Sequence, residues 1–216
     1  MTAGRAGAGR VLSRRAARRA LLAGLGLLRA SGPDGGVAPW RQELSGPDGV
    51  HEALRRLEAV QVDPISVVER NHHLTLFNRV GSYRPEDLEG LFSQGRAFEY
   101  LANARCILPV ESFTDFWPIM LQARANASLA DDTLRQVMAD VLAHVRAHGA
   151  TAPRDVGGDG PRLMGVGYNP PDVASKASGR AIDLLGLGGH LRGAGRRGNE
   201  KVYDLTERVL PGEVRS

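Results

Sequence analysis

Cysteine is almost missing from this chain: Cys106 is the only one in 216 residues. An intramolecular disulfide and a cysteine-based zinc site are therefore both excluded. Lysine is nearly as scarce. Lys176 and Lys201 are the only two, and arginine supplies the rest of the 28 basic residues. Aromatic residues make up 5%. No apolar run approaches the roughly 20 residues of a membrane span, and no acidic residue precedes Asp34. What is present is ordinary for a globular protein: 42% hydrophobic and 24% charged residues. The length suits one large domain or two small ones with real cores. Net charge is +4 and the pI is 9.7. An arginine-dominated surface fits a phosphate backbone, because the planar guanidinium grips phosphate as a fork. A compositional bias that raises Arg, Gly and Ala together accounts for the same excess.

The N-terminal residues 1–10 are Gly/Ala/Arg-rich and are expected to be disordered. Ser13-Arg14-Arg15 followed by an apolar stretch from Ala20 to Leu28 has the order of an export signal. Arg18, Arg19 and Arg29 crowd that stretch, however, and Leu21, Leu25 and Leu28 recur at helical spacing. A first domain helix from Ser13 to Arg29 and a cytoplasmic, nucleoid-associated protein are the expectation, with a targeting segment as the alternative. Gly-Pro-Asp-Gly elements at 32–35 and 46–49 mark loops. Val50, Leu54 and Leu57 define a second helix. A third is expected from Pro64 to about Arg79, and Leu88, Leu91 and Phe92 face inward on a fourth. Strand-like pieces run from Phe98 to Pro109. Val110, Phe113, Phe116, Trp117, Met120 and Leu121 trace one helical face. Leu134, Val137, Met138, Val141, Leu142 and Val145 form the clearest apolar stripe, closed by Gly149. Val173, Ala177, Ala181 and Leu184 mark a last helix. Two short strands then flank Gly193-Ala194-Gly195-Arg196-Arg197-Gly198-Asn199, which reads as a β-hairpin with a basic tip. The pattern predicts a mainly α fold with small β-hairpins, organised as tandem winged helix-turn-helix units. The first spans 11–128 and the second 129–211, followed by a tail at 212–216. On this reading Lys176, Arg180, Arg192, Arg196, Arg197 and Lys201 lie against phosphates or in a groove. A solvated hairpin with incidental charge is the competing reading.

The most informative tripeptide is Gln61-Val62-Asp63. In an extended segment Gln61 and Asp63 share one face, roughly 6–7 Å apart, while Val62 packs behind them. An amide beside a carboxylate can hold a water molecule and take a proton from it. The competing reading is structural: Asp before Pro is also a helix N-cap followed by proline at the first helical position. Arg70, His72 and His73 follow, as candidates for phosphate contact or packing. No metal or redox cofactor is expected.

These residues resemble the YcaQ/AlkZ-type winged-helix DNA glycosylases, which unhook interstrand crosslinks. The resemblance rests on Leu57-Glu58-Ala59-Val60-Gln61-Val62-Asp63-Pro64-Ile65 and on Arg70-Asn71-His72-His73-Leu74 with Leu76-Phe77-Asn78-Arg79, Gly81 and Tyr83. It extends to Glu99-Tyr100 with Leu108-Pro109, and to Lys201-Val202-Tyr203-Asp204-Leu205-Thr206-Glu207-Arg208-Val209-Leu210-Pro211. It implies tandem winged helices cupping double-stranded DNA, with Gln61 and Asp63 as the catalytic pair and no membrane association. The implied reaction is hydrolysis of the N-glycosidic bond of alkylated or crosslinked purines, the N7-alkylguanine class, by a monomer. Two departures stand out. The run Glu99-Tyr100-Leu101-Ala102-Asn103-Ala104 replaces the Glu-Tyr-Trp-Ala-His-Glu common in that family, and a C-terminally truncated form is expected because family members continue past Pro211. A non-catalytic winged-helix DNA-binding protein is the alternative function.

Overall fold

The computed structural model describes residues 11–28, 40–63, 65–128, 130–156, 162–164, 174–198 and 200–214, of which 162–164, 174–176 and 214 are described by backbone alone. The expected disordered segment 1–10, Val173 and Asn199 lie outside the described residues. Described elements run in the order α1 (Arg14–Gly24), α2 (Trp40–Glu43), α3 (Gly46–Leu57), β1 (Val60–Gln61), α4 (Asn71–Phe77), α5 (Pro85–Ser93), β2 (Ala97–Leu101) and β3 (Arg105–Pro109). They continue with α6 (Trp117–Ala127), α7 (Asp132–His148), β4 (Arg162–Met164), β5 (Ala174–Lys176), α8 (Ala177–Leu187), β6 (Leu191–Arg197), β7 (Glu200–Leu205) and α9 (Thr206–Val209). The protein is mainly helical with small antiparallel sheets. Among the described residues no helix is long and apolar enough to cross a membrane.

A three-stranded sheet in the order β1-β3-β2 divides two cores. Strand alternation explains the division, since successive side chains point to opposite faces. Val60, Ala97 and Ile107 join a first core with Val50, Ala53 and Leu54 of α3, Leu76 of α4, and Leu88 and Leu91 of α5. The intervening Phe98, Tyr100, Cys106 and Leu108 turn the other way, onto Phe113, Met120 and Leu210. The aromatic side chains there meet edge to face: Phe98–Phe113 and Tyr100–Phe116 ring centroids are each 5.4 Å apart. A third core joins Leu134, Val141 and Val145 of α7 to Ala181, Ile182 and Leu185 of α8, with Leu191 and Leu205 of the β6–β7 pair. The α7 stripe is therefore a core face. Asp131 caps that helix by accepting from the Leu134 N–H at 2.8 Å.

Two expectations change. Helix α1 buries no side chain, and Leu21 and Leu25 are 62% and 41% exposed. The helix docks instead through its C-terminal end, where Arg79 Nε donates to the Leu25 carbonyl at 2.8 Å. Gly26, at φ +68, lies where a β-carbon would meet the Trp40 ring at 2.4 Å, so only glycine permits this approach. The second change concerns the helix expected from Pro64. It begins only at Asn71. Residues 65–70 form a tight loop in which Ser66 pairs with Arg70.

Candidate functional site

The Gln61-Val62-Asp63 segment begins just after a reversal of the chain. Glu58, at the end of α3, has φ 62 and ψ −39, and the Ala59 N–H reaches the Leu57 carbonyl at 2.7 Å. That is the rarer, strained form of the three-residue turn. The strand it launches lies at the open edge of the sheet, with Val60 opposite Ile107 and Gln61 opposite Cys106. The ladder extends one step further, because the Val62 N–H donates to the Arg105 carbonyl at 2.8 Å. Val62 is half-buried against the first core. Gln61 is exposed and Asp63 half-buried. Asp63 Oδ1 accepts the Ile65 N–H at 2.8 Å. The loop that follows is apolar and open, with Val67 and Val68 91% and 87% exposed.

The two histidines are buried. His72 and His73 are 6% and 9% exposed. Their rings lie 4.3 Å apart, and His73 Nδ1 meets the Tyr83 hydroxyl at 2.6 Å. Burial, aided by His73 and Arg70, pushes His72 down to about 4, so it is neutral near pH 7. Burial also pushes His73 down. Neutral, buried imidazoles fit the packing alternative better than phosphate contact. Arg70 is exposed at the start of α4.

The basic hairpin forms, but its strands take in residues expected at the tip: β6 and β7 pair from Leu191–Leu205 out to Arg197–Glu200, with an irregularity between Gly193 and Gly195. Its arginines divide into two groups. Arg196 and Arg197 are exposed near the tip, where they pair with Glu89 at 3.4 Å and Asp155 at 2.9 Å. Arg192 is 3% exposed. Its guanidinium lies 5.4–5.7 Å from the Phe98, Tyr100 and Phe113 ring centroids. It also donates to the carbonyls of Gly186 at 2.5 Å and Leu191 at 2.9 Å. A cation held by three rings and two carbonyls joins the second core to the third and is out of reach of a phosphate backbone. Arg180 is 8% exposed, and burial depresses its guanidinium. Lys201 bonds to Glu99. Lys176 lies on β5, where the backbone alone is described.

Several of these charged side chains line a cavity of about 590 Å³ between the β2–β3 and β6–β7 hairpins. Val62, Glu99, Arg105, Arg180, Lys201 and Tyr203 are among its walls. Gln61 and Asp63 are not; the cavity and the edge segment share only Val62. Arg105 spans the cavity, reaching Glu99 and Asp183 at 3.6 Å each. Burial works against its charge, yet those two carboxylates raise its guanidinium above the ordinary value. Composition alone gave no sign of this chamber. The signal was present only in combination, since Glu99 and Arg105 come from one hairpin, Arg192, Arg196 and Lys201 from the other, and Arg180 and Asp183 from α8. Among the described residues no group of three or more His, Cys, Asp or Glu side chains is placed to hold a metal ion.

A family model for DNA glycosylases matches residues 54–216, a stretch that takes in the edge segment, both hairpins and the cavity. The chain belongs to that family, described as DNA glycosylase AlkZ-like. Its substrate is accordingly DNA, and its class that of the DNA-repair glycosylases. No solved structure matches the chain.

Proposed function

We propose that this protein is a monofunctional DNA glycosylase that hydrolyses the N-glycosidic bond of alkylated or crosslinked purines, of the N7-alkylguanine class. Gln61 and Asp63 are its reacting pair. The observation that carries the reading is the position of this amide and carboxylate. Gln61 is on the edge strand β1 and Asp63 lies just beyond it, with the intervening Val62 packed on the first core, inside the stretch that matches the family. The chemistry needs little more. An N7-alkylated guanine is cationic, so the leaving base departs without an added proton. What remains is an attacking water and a developing positive charge at C1′. Asp63 takes the proton of that water and faces the charge, while Gln61 orients the water.

Two tandem winged-helix units form the DNA-binding scaffold. Supporting this are the order α3-β1-α4-α5-β2-β3 with its β1-β3-β2 sheet, and α7 and α8 followed by the β6–β7 hairpin, to which Thr151 adds a bridge with Tyr203. In each unit the helix before the hairpin packs inward, α5 against β6 and α8 against β2. The candidates for phosphate contact are therefore the exposed Arg70, Arg196 and Arg197, together with Lys176 on β5.

One observation favours a second reading, DNA binding without chemistry. Asp63 already serves as the cap of its own turn. Base release from duplex DNA containing N7-methylguanine separates the two. The double variant Gln61→Ala, Asp63→Asn is suited to this test, because asparagine keeps the acceptor for the Ile65 N–H. Release should fall by about 10²–10⁴; equal release by both proteins would leave DNA binding alone.

A further inference from the structure

The cavity between the β2–β3 and β6–β7 hairpins contains a buried N–H group without a hydrogen-bond partner among the described residues. Arg180 lines it, is 8% exposed, and has a buried Nε without a hydrogen-bond partner among the described residues. The neighbouring acids are occupied. Asp183, one turn further along α8, pairs with Arg105 at 3.6 Å. Glu99 pairs with Arg105 and Lys201, and Glu89 with Arg196 at 3.4 Å. Asp183 also favours the Arg180 charge from a distance, yet a buried N–H kept from water without a hydrogen bond is costly, and a bound anion would remove that cost. Around it the walls are largely apolar and partly aromatic, with Phe92 and Tyr203 beside Val62 and Ile182. A chamber of about 590 Å³ falls in the range that encloses a small organic ligand.

We propose that this cavity is a binding site for a single nucleotide, with its phosphate on Arg180 and its base against the aromatic wall of Tyr203 and Phe92. The choice of a nucleotide among planar anions rests on the glycosylase reading above. The site is separate from the Gln61–Asp63 edge and touches it only through Val62, so occupancy would press on the segment that carries the reacting pair.

Calorimetric titration of the whole chain with deoxyguanosine 5′-monophosphate tests this. Binding should be saturable, and deoxyguanosine and inorganic phosphate should each bind at least about tenfold more weakly. Arg180→Met should lose about tenfold or more, while Arg180→Lys should retain most of the affinity. Tyr203→Leu, which leaves the cation in place, should weaken the nucleotide and not inorganic phosphate. Absence of binding, unchanged affinity in folded Arg180→Met and Tyr203→Leu proteins, or inorganic phosphate binding as tightly as the nucleotide would overturn the proposal. Base release measured on the same preparations keeps the two ideas apart. Excision without nucleotide binding sinks the cavity site alone, and nucleotide binding without excision sinks the glycosylase reading alone.

Discussion

Replacing His72 by methionine should flatten the acid sensitivity of folding. His72 is 6% exposed, and its Nδ1 has no partner among the described residues. Its folded-state value of about 4, against an ordinary 6.5, reflects burial first and the adjacent His73 second. The sign follows from proton uptake. Above pH 6.5 the imidazole is neutral in both states and contributes no pH dependence. Between 6.5 and 4 the unfolded chain binds a proton that the folded chain refuses, so stability falls as pH falls. Below about 4 both states are protonated and the loss stops. From pH 7.5 to pH 5 this amounts to about 2 kcal/mol for the one residue. Methionine fills similar volume without a titrating group, and it removes a buried nitrogen that lacks a partner. Urea unfolding of both proteins at pH 7.5, 6 and 5 provides the measurement, through the midpoint and linear extrapolation. The variant should match or exceed the wild type at pH 7.5 and pull ahead by about 2 kcal/mol more at pH 5. A stability difference that stays constant across this range would refute the assignment of a neutral, buried His72.

Two further outcomes are expected. Arg196→Ala with Arg197→Ala should weaken binding to undamaged duplex DNA and reduce the slope of log affinity against log salt, by up to about 0.9 for each phosphate no longer neutralised; an unchanged slope in a salt titration would take the hairpin tip out of the interface. Tyr83→Phe removes the hydroxyl that meets His73 Nδ1 at 2.6 Å. It should cost about 1–3 kcal/mol in chemical denaturation, with DNA binding retained.

Local pattern made much of this molecule legible. The α7 stripe and the existence of the Gly-Arg hairpin required only spacing and turn chemistry, although β6 runs on to Arg197 through residues expected at the tip. The edge segment was legible for the same reason, because alternation alone puts Val62 behind its neighbours. What escaped notice was decided by distant partners. The helix expected from Pro64 failed because Asp63 closes a turn on Ile65 and Ser66 pairs with Arg70, a local competition that apolar spacing does not register. Arg192 and Arg180 read as surface cations in a basic segment. Their long stems are drawn inward by rings and walls contributed from β2, α5 and β7, some of them nearly a hundred positions away. The two histidines followed the same logic on the inner side of α4.

The alternation along β2 has a mechanical corollary. Ala97 belongs to one hydrophobic centre and Phe98 to another, so a single hairpin is a partition wall common to two rooms. Slipping its register by one position would exchange alanine for phenylalanine on both sides at once, overfilling one and emptying the other. Neither half can melt while its neighbour keeps this wall, and heat or denaturant should dismantle both halves in one step.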